Sequence, residues 1–305
     1  MRTRGIALVR QQEGSSLVLA ALLLAGLLAT AALVVDGGIL FVTKSHLQKT
    51  ANAAVLSGAQ ELTRTQEQVS GVMQTVLQKH EEHTHVQSTS VTMGQKVSVS
   101  LRKEVPLGFA RMFGWELAPV QAKATAEIGV MGSAVGAAPL GINENIPLEY
   151  GRVYKLKVDQ TQVEAGNFGV LALGGTGAST YEDNLRRGYS SELKIGTVID
   201  TQTGNIAGKT REGVQLRLDE CPYPPGETHH RDCPRILLIP VYREIESQGN
   251  QLKNVMITGF SYFYIMEPMS ANDTSISGMF IQRADTGIVD PGAVSRGAYA
   301  IRLTE

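Results

Sequence analysis

The sequence predicts an α+β protein carried on a single N-terminal transmembrane helix. That helix continues into an amphipathic stretch, and a small pilin-like antiparallel sheet and a β-rich outer domain follow. Three observations predict this class. Ser15 to Val35 is a run of 21 residues without a charge. Beyond it, Leu47, Ala51, Ala54, Val55, Gly58 and Leu62 fall on one helical face. Most of the remaining chain reads as alternating apolar and polar residues, or as short apolar runs bounded by glycine-rich turns.

The span comes first. At about 1.5 Å per residue a helix of this length covers roughly 30 Å, the hydrocarbon thickness of a bilayer. Arg2, Arg4 and Arg10 precede it and Asp36 follows it, which places the N-terminus in the cytoplasm and the rest outside. A cleaved signal peptide is the main rival, because Ala29-Thr30-Ala31 fits a small-residue cleavage site. The apolar run continues through Leu33, Val34 and Val35, past the usual end of a signal core, so a retained anchor is the preferred reading. Pilin-type processing needs a leader ending in Gly and a Glu at the fifth position after it. Gly14 is present, but the fifth residue is Leu19.

Gly37-Gly38 is the predicted hinge between the spanning and outer parts, since each glycine weakens a helix by up to about 1 kcal/mol. The outer part carries a narrow stripe of small residues, with Gln48, Lys49, Asn52 and Gln60 largely off it. Within the membrane Ala21, Ala25 and Ala29 repeat the same small-residue spacing, which lets another backbone approach closely. The plain alternative is that Ala and Leu are simply common in membrane helices.

Next, Val69 to His80 reads as a helix and Val97, Val99 and Leu101 as one face of a strand. "PLGFARMFGWEL", Pro106 to Leu117, reads as a short helix carrying Phe109, Met112, Phe113 and the only Trp, Trp115. Val120, Ala122, Ala124, Ala126 and Ile128 mark a second strand. The small-residue stretch Gly129 to Gly141 is the predicted boundary, giving segments 1–64, 65–132 and 133–305. In the last segment Tyr154, Leu156 and Val158 alternate with polar residues. "RILLIPVY", "NVMITGFSYFYIM" and "ISGMFIQ" are strands, and Tyr181 to Tyr189 is a single helix.

With a net charge of −1, nothing suggests a nucleic-acid partner. Charged residues make up 19% of the chain, which suits a β-rich extracytoplasmic protein more than a helical cytosolic enzyme. Cys221 and Cys233 in "CPYPPGETHHRDC" read as a loop-closing disulfide worth about 3 kcal/mol. The competing metal reading adds His229 and His230, but the spacing matches no usual zinc pattern. "LGGTGAS", Leu173 to Ser179, lacks the Lys-Ser/Thr ending of a P-loop and the spacing of a dinucleotide site. "HEEHTH", His80 to His85, lacks H-E-x-x-H spacing and reads as a solvated polar turn. No cofactor, metal or catalytic residue is therefore assigned.

The span followed by "VVDGGILFVTKSHLQKTANAAVLSGAQEL" resembles the N-terminal module of TadE/TadG-like proteins of the tight-adherence (Tad, or Flp) pilus system. The matching elements are Asp36, Ala51 to Ala54 and Ser57-Gly58-Ala59. The passage ending in "AKATAEIG" and several outer stretches, "PRILLIPVY" among them, are similar to such proteins too. The resemblance implies a non-catalytic, membrane-anchored accessory or minor pilin-like component of pilus assembly. Its partners would be the lipid bilayer and pilin-like membrane proteins, met through the helix face of Ala51, Ala54, Val55, Gly58 and Leu62. Larger members carry a von Willebrand A domain with an adhesion metal site. Asp273-Thr274-Ser275-Ile276-Ser277 matches its string by chance, since too little chain follows to complete it. The alternative function is an anchored extracytoplasmic enzyme or ligand-binding protein, for which the sequence offers no cluster of charged residues.

Overall fold

A computed structural model describes residues 13–157, 168–201, 206–248, 251–270 and 275–304. Arg2, Arg4, Arg10, Val158, Asp273 and Thr274 lie outside the described residues.

Helix α1 (Glu13–Ala59) is one unbroken rod of 47 residues, about 70 Å long. The hinge predicted at Gly37-Gly38 does not form. Helix interrupted inside a bilayer leaves backbone groups without partners, and the far end of α1 is held by a sheet, so both flanks enforce helix across the glycines. A side chain at either glycine would meet no atom within 4 Å. Helix α2 (Gln66–Lys79) starts where the Thr65 hydroxyl accepts from the Gln68 amide. It buries Val69, Met73 and Leu77, spaced four apart, beside α1.

Strands β1 (Val86–Thr92), β2 (Lys96–Pro106) and β3 (Leu117–Ala134) form an antiparallel meander. Their register pairs large with small: Val97 with Ala126, Val99 with Ala124, Leu101 with Ala122. Those residues share one buried face, and the alanine row of β3 leaves room for α1 to lie close. The boundary predicted after residue 132 falls inside β3, which continues to Ala134.

The chain then runs through β4 (Leu140–Asn143), β5 (Val153–Lys157), β6 (Phe168–Val170), α3 (Ala178–Arg187), β7 (Leu193–Lys194) and β8 (Val198–Asp200). After α4 (Ala207–Asp219) come the long hairpin β9 (Ile236–Gln248) and β10 (Gln251–Ile265), then β11 (Ser275–Ile281), β12 (Arg283–Asp285), β13 (Ile288–Val289) and β14 (Ala298–Leu303). The first sheet runs β1-β2-β3-β14-β12, with β13 and β7 also on β3. The second runs β5-β11-β10-β9-β4-β6, with β8 on β10.

Three cores stack these parts in layers. The first lies between α1, α2 and the first sheet. The second joins Met131, Ala134, Ala298 and Ala300 of the first sheet to Leu238, Tyr242, Phe260 and Tyr262 of the second. The third covers the outer face of the second sheet with Tyr181 and Leu185 of α3 and Val214 and Leu218 of α4. The order is therefore helices, sheet, sheet, helices.

Candidate functional site: the membrane helix and its collar

The two halves of α1 differ in what surrounds them. From Leu17 to Val34 its large apolar side chains are exposed on every side. A soluble protein does not leave a helix apolar all round and uncovered, whereas a bilayer accepts one. It is the one helix among the described residues long and apolar enough to cross a membrane.

Asp36 ends the uncharged run and is 7% exposed. Its carboxylate accepts backbone N–H bonds from Gly108 at 2.8 Å, Phe109 at 3.0 and 3.2 Å and Ala110 at 2.7 Å. These amides begin the 3₁₀ turn Ala110–Phe113 at the tip of the β2–β3 hairpin. The turn is thus tied to the helix at the first charged residue after the span. "PLGFARMFGWEL" is not the apolar-faced helix its composition predicts. It is a loop around one 3₁₀ turn, because Gly114 takes a left-handed conformation (φ 91°) that closes the turn.

Above this collar α1 lies alongside β3. Strand β14 pairs with β3 only as far as Ala126, and the carbonyls of Gln121 and Lys123 lie below that point. Helix side chains serve them instead. Lys44 Nζ donates to the Gln121 carbonyl and Gln48 Nε2 to that of Lys123 at 2.5 Å. Two residues of strand match four of helix, so the two elements rise together.

The face predicted to meet a partner helix is covered by this chain. Ala51, Ala54, Val55 and Leu62 are buried in the core formed with α2, β2 and β3. Gly58 packs on α2, where a Cβ would stand 2.7 Å from Met73 Cγ. The cover of this stripe is therefore internal to the chain.

The polar turn "HEEHTH" also differs from expectation. Glu82 is buried, with Lys103 Nζ at 2.7 Å, His85 Nδ1 at 2.7 Å and His46 Nε2 at 3.5 Å. The carboxylate ties the end of α2 to α1 and β2. Asp36 is not recognisable locally, since its partners stand far along the chain. Of the Glu82 partners only His85 is near in sequence, while Lys103 and His46 are distant.

Cys221 and Cys233 are joined, with an S–S distance of 2.07 Å. The bridge packs on Tyr264 and closes the loop between α4 and β9. Within that loop Arg231 donates to the carbonyls of Gln60, just past α1, at 3.4 Å and of Ala284 in β12 at 2.5 Å. Glu61 and Asp285 stand 3.9 and 3.5 Å from its guanidinium. Burial pushes the Arg231 pKa down and neighbouring Arg283 acts the same way, while Asp285 and Glu61 oppose them. The disulfide loop thereby clamps the upper end of the membrane helix. Glu227, His229 and His230 also gather there, their donor atoms within 4.8 Å of one another. His230 stacks on Tyr223 at 3.5 Å and lies 2.6 Å from the Glu227 carboxylate.

"LGGTGAS" forms the turn before α3 and lines an open depression with Glu192 and Asp200. Two carboxylates at its rim do not suit a phosphate. Ser275 and Ser277 lie in β11, paired with β5, and not in a metal-binding loop.

Residues 14–61 match the family model described as "Putative Flp pilus-assembly TadE/G-like". The matched segment is α1, from its second residue to the turn that follows it. Comparison with curated proteins found no match, and neither did comparison with solved structures.

Proposed function

Taking residues 14–61 as a TadE/G-like segment, we propose that the chain is a membrane-anchored accessory or minor pilin-like component of Flp-type pilus assembly and is not an enzyme. One observation carries this reading. The matched segment is a single rod whose lower half is apolar and uncovered and whose upper half is built into a folded domain. Such a part holds a domain at a membrane while offering helix surface to other membrane helices.

Because the Ala51 face is occupied internally, those partners would meet the span itself. Ala21, Ala25 and Ala29 lie on its exposed surface and allow close helix approach. The basic residues before the span support an orientation with the N-terminus in the cytoplasm and the sheets outside.

The test combines two measurements on cells making the full chain. N-terminal sequencing of the membrane fraction is expected to find Met1 or the residues just after it. A protease added to intact cells is expected to remove the domain and leave the span. A mature start after Ala31 would show that the anchor is cut away. A domain untouched on intact cells, but digested after lysis, would reverse the topology.

A further inference from the structure

The loop tied to Asp36 exposes an apolar surface that the anchoring role of α1 does not explain. Met112 and Phe113 are each 79% exposed and Trp115 is 71% exposed, with Phe109 and Leu117 open beside them. They include the only Trp of the chain and two of its seven phenylalanines. Concentrated on one hairpin tip, such side chains are costly in water, and contiguous patches of this kind mark a surface that meets something apolar.

The geometry says what that is. The loop amides from Gly108 to Ala110 grip the Asp36 carboxylate, and Asp36 directly follows a span long enough to cross the hydrocarbon core. The exposed side chains therefore stand at the level where the helix leaves the bilayer. The apolar surface of α1 continues past that level through Ile39, Phe41 and Val42, all exposed. The exposed Arg111 lies in the same turn of the loop. Trp and Phe beside a cation are the residues that settle between headgroups and acyl chains.

We propose that the β2–β3 hairpin tip, Phe109 to Leu117, is a foot that inserts into the outer boundary of the bilayer beside the span. The foot would be a second point of lipid contact, and it fixes how the sheets stand on the membrane. It rests on the reading of residues 15–35 as a retained span.

Trp115 is itself the probe, being the only Trp. The full chain is reconstituted into phosphatidylcholine–phosphatidylglycerol vesicles and floated on a density gradient. In the floating fraction Trp115 emission is expected to shift to shorter wavelength. Lipids brominated near the glycerol end of the acyl chains should quench it more than lipids brominated at mid-chain, and aqueous iodide should quench it little. The double variant Met112→Ser, Phe113→Ser is expected to float equally while Trp115 moves back toward water. If the protein floats but Trp115 is open to iodide, the foot is refuted and the anchor stands. If Trp115 is shielded but insensitive to bromolipid, a protein contact covers the patch and the foot is again refuted. If the protein does not float, the span reading fails and takes the foot with it.

Discussion

Gly37 and Gly58 lie in the same helix and differ only in their surroundings. At Gly37 an added Cβ meets nothing within 4 Å, whereas at Gly58 it would come within 2.7 Å of Met73 Cγ and 3.0 Å of its sulfur. Gly37→Ala is therefore expected to stabilise the helix by up to about 1 kcal/mol. Gly58→Val, driven into a filled interface, is expected to destabilise by about 1–3 kcal/mol. Chemical denaturation of the full chain in detergent, followed by circular dichroism, measures both. Equal effects of the two changes would contradict the packing of α2 on Gly58. The sequence shows a glycine at each position and gives no means to tell them apart. The same limit applies to Asp36, which reads in sequence as the end of a span. Its three amide partners lie 72 to 74 positions away, so its role as the knot between helix and hairpin is visible only in three dimensions.

Elements with a clear period are legible. The alternation of Val97, Val99 and Leu101 against polar neighbours becomes β2, and the apolar runs after Arg235 become β9 and β10. Helix α4 is not legible, because Gly208 and Gly213 dilute its propensity and no clean apolar stripe emerges. It forms because Gly213 admits the Leu185 side chain of α3, a tertiary contact that outweighs local preference. The disulfide loop was readable as a bridge from its spacing but not as a clamp, since Arg231 bonds to Gln60 just past α1 and to β12 only after the chain has folded back. Replacing Cys221 and Cys233 by Ala is expected to cost about 3 kcal/mol. It should also open the segment from Pro222 to Asp232 to limited proteolysis. A loop that stays as resistant as the native one would show that Arg231 and its neighbours hold it unaided.

Across the whole molecule the decisive connection is the return of the C-terminal strand. β14 sits between β3 and β12 in the first sheet, and its Ala298 and Ala300 lie in the core between the two sheets. A linear reading divides the chain near residue 132, because nothing in "AYAIRL" announces which distant strand it joins. Ala300→Asp would bury an unpaired charge between the sheets and is expected to cost about 3–5 kcal/mol. Thermal unfolding would then begin in β12 to β14 at lower temperature than in the native chain. An unchanged transition would mean that the sheets do not depend on this strand. The collar has one more consequence, a mechanical one. α1 is fastened to the folded body at Asp36, at Lys44 and Gln48, and again at Gln60 just past its end. A rod fastened at several heights cannot swivel beneath its load. Any rotation of the helix about its own axis within the bilayer must turn the sheets by the same angle, so a neighbouring helix that sets the azimuth of the span also sets the direction the outer surface faces.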